Sequence, residues 1–315
     1  MQATPEPVFI TGATGFIGQR LVSGLLEQGF GVRVMVRPDR KPDDRLPEGC
    51  EQVAVNLTDV DKLTGIVADS SAVIYCAGSV RGRSIDDFAV ANINGVKTII
   101  EALEGASKAP PMLLLSSLAA SRPEISDYAR SKFEGERLLH DKPSLCWTIV
   151  RPPAVYGPGD REMLPVLKMA RRGLLAHAGP VDQRLSLLHV DDLVNAIQSW
   201  LSVPEKCLHE TYAIDDGTPG GYTWTAIGEA VSDRRFRIVT VPKILFEGVA
   251  RLNLQLSKIL GYLPMLSPGK VRELIQPDWL CDNSAFTDAT GWRPQVVLRQ
   301  GANQLFDLES NKLSS

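Results

Sequence analysis

The sequence predicts an α/β fold built on a doubly wound parallel sheet, with a smaller, mainly helical C-terminal lobe. Three observations predict it. Short apolar runs alternate with amphipathic helical stretches through the first half of the chain, as parallel strands covered by helices on both faces require. The first run passes through three glycines spaced G-x-x-G-x-x-G straight into a helical stretch. At 315 residues the chain can bury a large core in one or two domains.

The elements follow in order. The run from Val8 ends in Gly12, Gly15 and Gly18, and Gln19 to Gln28 is the first helix. Gly31 to Val36 is a second strand with Val32, Val34 and Val36 on one face. Gln52 to Val55, Ala72 to Cys76, Met112 to Ser116 and Cys146 to Val150 are the next four strands. Asp59 to Ala68, Ile85 to Glu104 and Tyr128 to His140 have helical periodicity. Arg151 to Asp160, rich in Pro and Gly, is expected to be an irregular loop. Leu185 to Leu188 and Thr211 to Ile214 read as strands, and Val190 to Leu201 as a helix. Residues 1–155 are expected to form the dinucleotide-binding core. Residues 156–315 complete the sheet and form the lobe, with the two regions interwoven.

Composition narrows the chemistry. A net charge of −3 argues against nucleic-acid binding. Five cysteines are scattered without a C-x-x-C pair, which reads as reduced thiols of a cytoplasmic protein. No signal segment and no spanning helix are expected. The isolated histidines lack ligand spacing, so no metal site is expected. In His189-Val190-Asp191-Asp192, Asp191 or Asp192 is expected to cap the following helix.

The glycine-rich turn carries the first functional signal. Gly12 permits a sharp turn, Gly15 lets a pyrophosphate approach the backbone, and Gly18 lets the helix pack on the sheet. The helix N-terminus presents free N–H groups to the phosphates. Arg37, closing the second strand, suits the 2′-phosphate of NADP rather than the ribose hydroxyls of NAD, with Arg40 and Lys41 able to assist. Asn56 and Leu57 are placed to touch the adenine, and Ala77-Gly78 leaves room for the cofactor. Tyr128 and Lys132 lie four apart on one helix face. A lysine ammonium there is expected to lower the phenol pKa and make a general acid/base near neutral pH. Ser116 or Ser117, at the end of the fifth strand, offers a hydroxyl to a substrate carbonyl.

Together these residues resemble the extended short-chain dehydrogenase/reductase, or NAD-dependent epimerase/dehydratase, family. The resemblance rests on Thr11 to Gly18, Asn92-Ile93-Asn94-Gly95, Tyr128 with Lys132, Arg151 to Asp160, His189 to Asp192 and Gly291-Trp292-Arg293-Pro294. It implies a Rossmann sheet and a catalytic set of Ser117, Tyr128 and Lys132. It adds Thr14, Phe16 and Ile17 of the turn, Tyr128 and Lys132 themselves, and Pro152 and Val155 to the cofactor contacts. It implies a homodimer through the helices at 85–104 and 128–140. Two departures matter. Sugar-nucleotide enzymes place a catalytic Ser/Thr where this chain has Leu118, and an asparagine that holds the substrate pyrophosphate where it has Ala154. The segment Val32 to Arg37 is similar to the NADPH-binding strand of dihydroflavonol reductases. The motifs are nearest the dihydroflavonol-reductase and 3β-hydroxysteroid-dehydrogenase branch.

The expectation is therefore an NAD(P)(H)-dependent ketone reductase or secondary-alcohol dehydrogenase, favouring NADPH, on an apolar or lipid-like substrate. The alternatives are a nucleotide-sugar epimerase or dehydratase with bound NAD, and a non-catalytic dinucleotide-binding assembly subunit. Leu245, Val249, Leu252, Leu256, Ile259 and Leu263 recur at helical spacing. That stripe is expected to be core; otherwise it lines an apolar tunnel or makes peripheral contact with a membrane, because Lys243, Arg251, Lys258, Lys270 and Arg272 lie nearby.

Overall fold

The structure, a computed structural model, describes residues 6–39 and 43–313, with side chains as far as residue 307. Arg40 and Lys41 lie outside the described residues. The first half supplies β1 (Val8–Thr11), α1 (Phe16–Glu27), β2 (Val32–Val36), β3 (Glu51–Ala54), α2 (Val60–Ala68), β4 (Ala72–Tyr75), α3 (Ile85–Ala89), α4 (Val96–Gly105), β5 (Met112–Leu115), α5 (Asp127–His140) and β6 (Trp147–Arg151). Beyond it come β7 (Ala154–Tyr156), α6 (Leu164–Arg171), β8 (Leu174–His177), β9 (Arg184–Leu185), β10 (Leu187–His189), α7 (Val190–Ser202), β11 (Glu210–Ala213), α8 (Trp224–Val231), β12 (Arg237–Thr240), α9 (Lys243–Leu260), α10 (Pro268–Leu274), β13 (Asp278–Trp279), α11 (Ser284–Thr290) and α12 (Leu298–Leu313).

Seven strands form one parallel sheet in the order β11-β6-β5-β4-β1-β2-β3. Side chains alternate between its faces. Val8, Ile10, Val32 and Val34 pack with Leu21 and Leu25 of α1 and with Leu193, Ile197 and Trp200 of α7. Phe9, Met35 and Tyr75 pack oppositely, with Leu63 of α2 and Ile99 and Leu103 of α4. Burial on both faces explains why the strands read as near-continuous apolar runs. The strand order reverses between β1 and β4, so the crevice for a ligand opens above their C-terminal ends. A second core, with Tyr156, Leu167, Trp224, Ile227 and Leu298, fills the smaller lobe. Asp192 of α7 ties that lobe to the sheet, accepting from the backbone N–H groups of Gln295 and Val296 at 2.8–3.0 Å.

Four local expectations need correction. The segment 151–160 is not wholly irregular: Ala154–Tyr156 pairs in parallel with Leu187–His189. The partner lies more than thirty residues on, so no local pattern announces it. The expected strand at 185–188 is two strands, because β9 pairs with β13 while β10 pairs with β7. The helix expected over 85–104 carries a π-helical segment, Val90–Gly95. There the Tyr75 hydroxyl donates to the Ala91 carbonyl at 2.7 Å, and a Cβ on Gly95 would meet that hydroxyl at 2.2 Å. Finally, neither Asp191 nor Asp192 caps α7. His189 Nδ1 accepts from the Asp191 N–H at 3.3 Å. The Asp191 carboxylate pairs instead with Arg20, and that of Asp192 is spent on the lobe.

Candidate active site at the sheet crevice

The glycine turn has the shape a pyrophosphate needs. Gly12 has φ +71°, and a Cβ there would lie 2.6 Å from the Ala77 nitrogen. A Cβ on Gly18 would lie 2.2 Å from the Gly12 carbonyl oxygen. A Cβ on Gly15 would meet protein only at 3.3 Å, so the fold by itself does not forbid a side chain there. Gly15 is the N-cap of α1 and brings no side chain to its first N–H groups, and the first turn holds no acid. That terminus therefore keeps its donors and positive dipole end for an anion. Thr14 accepts the Gln19 side chain through its carbonyl at 3.0 Å, which steadies the turn beside Phe16 and Ile17. Thr11 Oγ1 accepts from the Ala77 N–H at 3.1 Å and holds the two lips of the crevice together. The residues present fit a dinucleotide.

The other expected contacts border the same crevice. Arg37 follows β2, is exposed, and pairs with no other described residue. Asn56, also exposed, and the half-buried Leu57 follow β3. Gly78 follows β4, and a Cβ on it would lie 3.2 Å from Asn92 Oδ1 and 3.4 Å from Lys132 Nζ. Pro152 is buried and accepts the Leu118 N–H through its carbonyl at 2.8 Å. Val155 packs half-buried against the sheet core.

The two candidate serines part company. Ser116 is buried and donates to the Glu136 carboxylate, which also holds Arg151 at 2.5 Å. Ser117 Oγ accepts from the Ala119 N–H at 3.2 Å and lies close enough to the Tyr128 phenol to oppose the rise in its pKa. The structure thus brings Ser117, not Ser116, to Tyr128.

The charge pattern around Tyr128 differs from expectation. Burial pushes the phenol above its ordinary range, against the smaller opposing effects of the Ser117 hydroxyl and the Lys270 charge. Lys132 is not among the leading influences on it. Its Nζ donates instead to the Leu115 carbonyl at 2.8 Å. Lys132 is itself desolvated: burial pushes its ammonium down to about 8, with Cys76 and Glu136 pulling the other way. Helical spacing put the two side chains on one face, but the low polarity of their surroundings governs both pKa values.

Several residues that shape the site have no distinct sequence signal. Asn92, seated in the π-helical segment, accepts from the Ser79 N–H at 3.0 Å and donates to the Ser79 carbonyl at 3.0 Å and to Ser131 Oγ at 2.8 Å. It pins the loop after β4 to α5; the motif around it was the only hint. Glu273 of α10 accepts from Ser126 Oγ, the N-cap of α5, at 2.5 Å and from Lys270 Nζ at 2.9 Å. On sequence alone Lys270 and Glu273 are an ordinary i,i+3 surface pair. They help wall a cleft of about 140 Å³ beside Tyr128 that Phe88, Leu254 and Met265 also line.

Compared with known proteins, the chain is 33% identical over 277 residues to a ceramide reductase of Caulobacter vibrioides, an alignment covering 86% of this chain and 85% of that one. It is 25% identical to a 2-alkyl-3-oxoalkanoate reductase of Stenotrophomonas maltophilia, covering 95% and 98% of the two chains. Its fold matches the UDP-glucose 4-epimerase of Thermotoga maritima, crystallised with UDP-glucose, with a TM-score of 0.72 at 20% identity over 98% of this chain and 99% of that one. The NAD dependent epimerase/dehydratase family matches residues 8–214.

Proposed function

Because the chain belongs to the NAD dependent epimerase/dehydratase family and is an NAD(P)-dependent oxidoreductase of the extended short-chain type, we propose that it is an NADPH-dependent reductase of an apolar, lipid-like ketone. One observation carries the reading: Ser117 and a proton-retaining Tyr128 meet beside a cleft lined by Phe88, Leu254 and Met265. Bound NADPH would supply hydride to the carbonyl carbon. Ser117 Oγ–H donates to the carbonyl oxygen and orients it. Tyr128 passes its phenolic proton to that oxygen as the alcohol forms. Lys132, beside Gly78 and the Leu115 carbonyl, holds the nicotinamide ribose by its ammonium. A phenol kept protonated by burial suits proton donation, hence reduction. Arg37, without a partner among the described residues, supports the 2′-phosphate of NADPH.

The substrate class draws on two further points. Ala154 offers no side-chain donor to a pyrophosphate. Two relatives bear reductase names that specify a ceramide and a 2-alkyl-3-oxoalkanoate. A panel tests the reading: long-chain 3-keto lipids should drive NADPH consumption, while UDP- and dTDP-sugars should neither bind nor turn over. Micromolar binding of a sugar nucleotide would overturn it in favour of epimerase or dehydratase chemistry.

A further inference from the structure

The stripe on α9, expected to be core, is exposed. Leu245, Val249, Leu252, Leu256, Ile259 and Leu260 face outward, with Leu252 62% and Ile259 79% exposed. At 3.6 residues per turn these six side chains fall within about 60° of a single line along the helix. The helix packs on the protein through its other side. Ala250 and Ser257 are buried, Asn253 Nδ2 donates to the Leu266 carbonyl at 2.8 Å, and Leu254 lines the cleft at Tyr128. The apolar face is thus opposite the side that needs packing. Soluble monomers seldom expose so contiguous an aliphatic surface without a partner for it.

Charge distinguishes between partners. The polar side of α9, turned away from the stripe, carries Lys243, Arg251 and Lys258 against one acid, Glu247, which pairs with the first two at 3.8 and 3.6 Å. Three cations less one acid leave +2 on this helix, in a chain whose net charge is −3. An aliphatic face backed by a basic polar face is the pattern of a helix lying in an anionic lipid interface, where the stripe enters the acyl boundary. No helix among the described residues is long and apolar enough to cross a membrane, which leaves a helix lying in the interface. The cleft adds a reason for docking. Its volume of about 140 Å³ is below the roughly 300–1,000 Å³ typical of sites that engulf a small ligand.

We propose that α9 docks the protein on an anionic bilayer through this stripe, which keeps the cleft at Tyr128, on the other side of the helix, close to the source of a lipid ketone. The docking stands on α9 alone; the delivery of substrate rests on the ketone-reductase reading.

The test is vesicle flotation of the full chain without substrate, on phosphatidylglycerol/phosphatidylcholine vesicles and on phosphatidylcholine alone. The wild type should float with the anionic vesicles. The doubly substituted Leu252→Gln, Ile259→Gln protein should lose at least tenfold in partition while melting like the wild type. Arg251→Gln and Lys258→Gln should each lose about fivefold on anionic vesicles only. Turnover of a short, water-soluble 3-keto ester should be equal in the wild type and the double variant. Turnover of a vesicle-embedded long-chain ketone should fall in the variant. Flotation without turnover of either ketone would sink the substrate reading and leave docking intact. Absent or charge-independent flotation, or a wild-type dimer that the double substitution dissociates while vesicles go unbound, would overturn the docking.

Discussion

Lys132 titrates in a range where its charge can be followed by kinetics. Its side chain is 8% exposed, and the Leu115 carbonyl accepts from its Nζ at 2.8 Å. Desolvation is the largest influence on it and brings its pKa from 10.5 down to about 8. Moving from 10.5 to about 8 corresponds to roughly 3 kcal/mol against the charged form. The protonated form is the charged one, so a lowered pKa means that the ammonium disappears as pH rises through about 8. Nine-tenths of the protein should carry it near pH 7 and one-tenth near pH 9, about a tenfold difference. If the ammonium holds the ribose, kcat/KM for NADPH should fall about tenfold between those values, because this parameter reports the free enzyme. Tyr128 cannot produce that limb, since burial moves its titration further alkaline. In Lys132→Met, kcat/KM should be lower throughout and the limb near pH 8 should vanish. The same linkage acts on stability. Between about pH 8 and 10.4 the unfolded chain binds a proton that the folded one does not, so the cofactor-free protein should gain stability as pH rises through that window. A wild-type profile flat through pH 9, or a limb that survives in Lys132→Met, would refute the assignment.

Three further outcomes are expected. Gly18→Ala, whose Cβ would lie 2.2 Å from a backbone carbonyl, should lower the melting temperature by several degrees. Gly15→Ala, with its contact at 3.3 Å, should melt nearly normally yet weaken NADPH binding at least about tenfold in titration calorimetry; equal effects on both measurements would contradict the assigned roles. Arg37→Asp should weaken NADPH about ten- to a hundredfold and NADH little, and an equal loss of both would exclude a 2′-phosphate contact. Tyr128→Phe should cut kcat by roughly 10²–10⁴. By contrast, Ser116→Ala should show mainly as lost stability on melting, since that hydroxyl is held by Glu136.

What the sequence by itself determined is what short-range geometry controls. The strand–glycine turn–helix at the N-terminus was legible because each glycine answers a backbone constraint within a few residues, and the structure shows those constraints at Gly12 and Gly18. The parallel sheet was legible because strands buried on both faces must be apolar throughout. Tertiary structure decided whatever depended on the surroundings of a side chain. Ser116 and Ser117 are equivalent in sequence, and only the Glu136–Arg151 pair behind the sheet separates them. Tyr128 and Lys132 share a face by spacing, but their pKa values follow desolvation, which the whole fold sets. His189 took the cap from its aspartates because Arg20 and the backbone at 295–296 recruited them from far along the chain. The stripe on α9 has the same periodicity whether buried or exposed. Only the packing of Ala250, Asn253 and Ser257 on the opposite side showed that it faces outward, because periodicity records which residues share a face and not what that face meets.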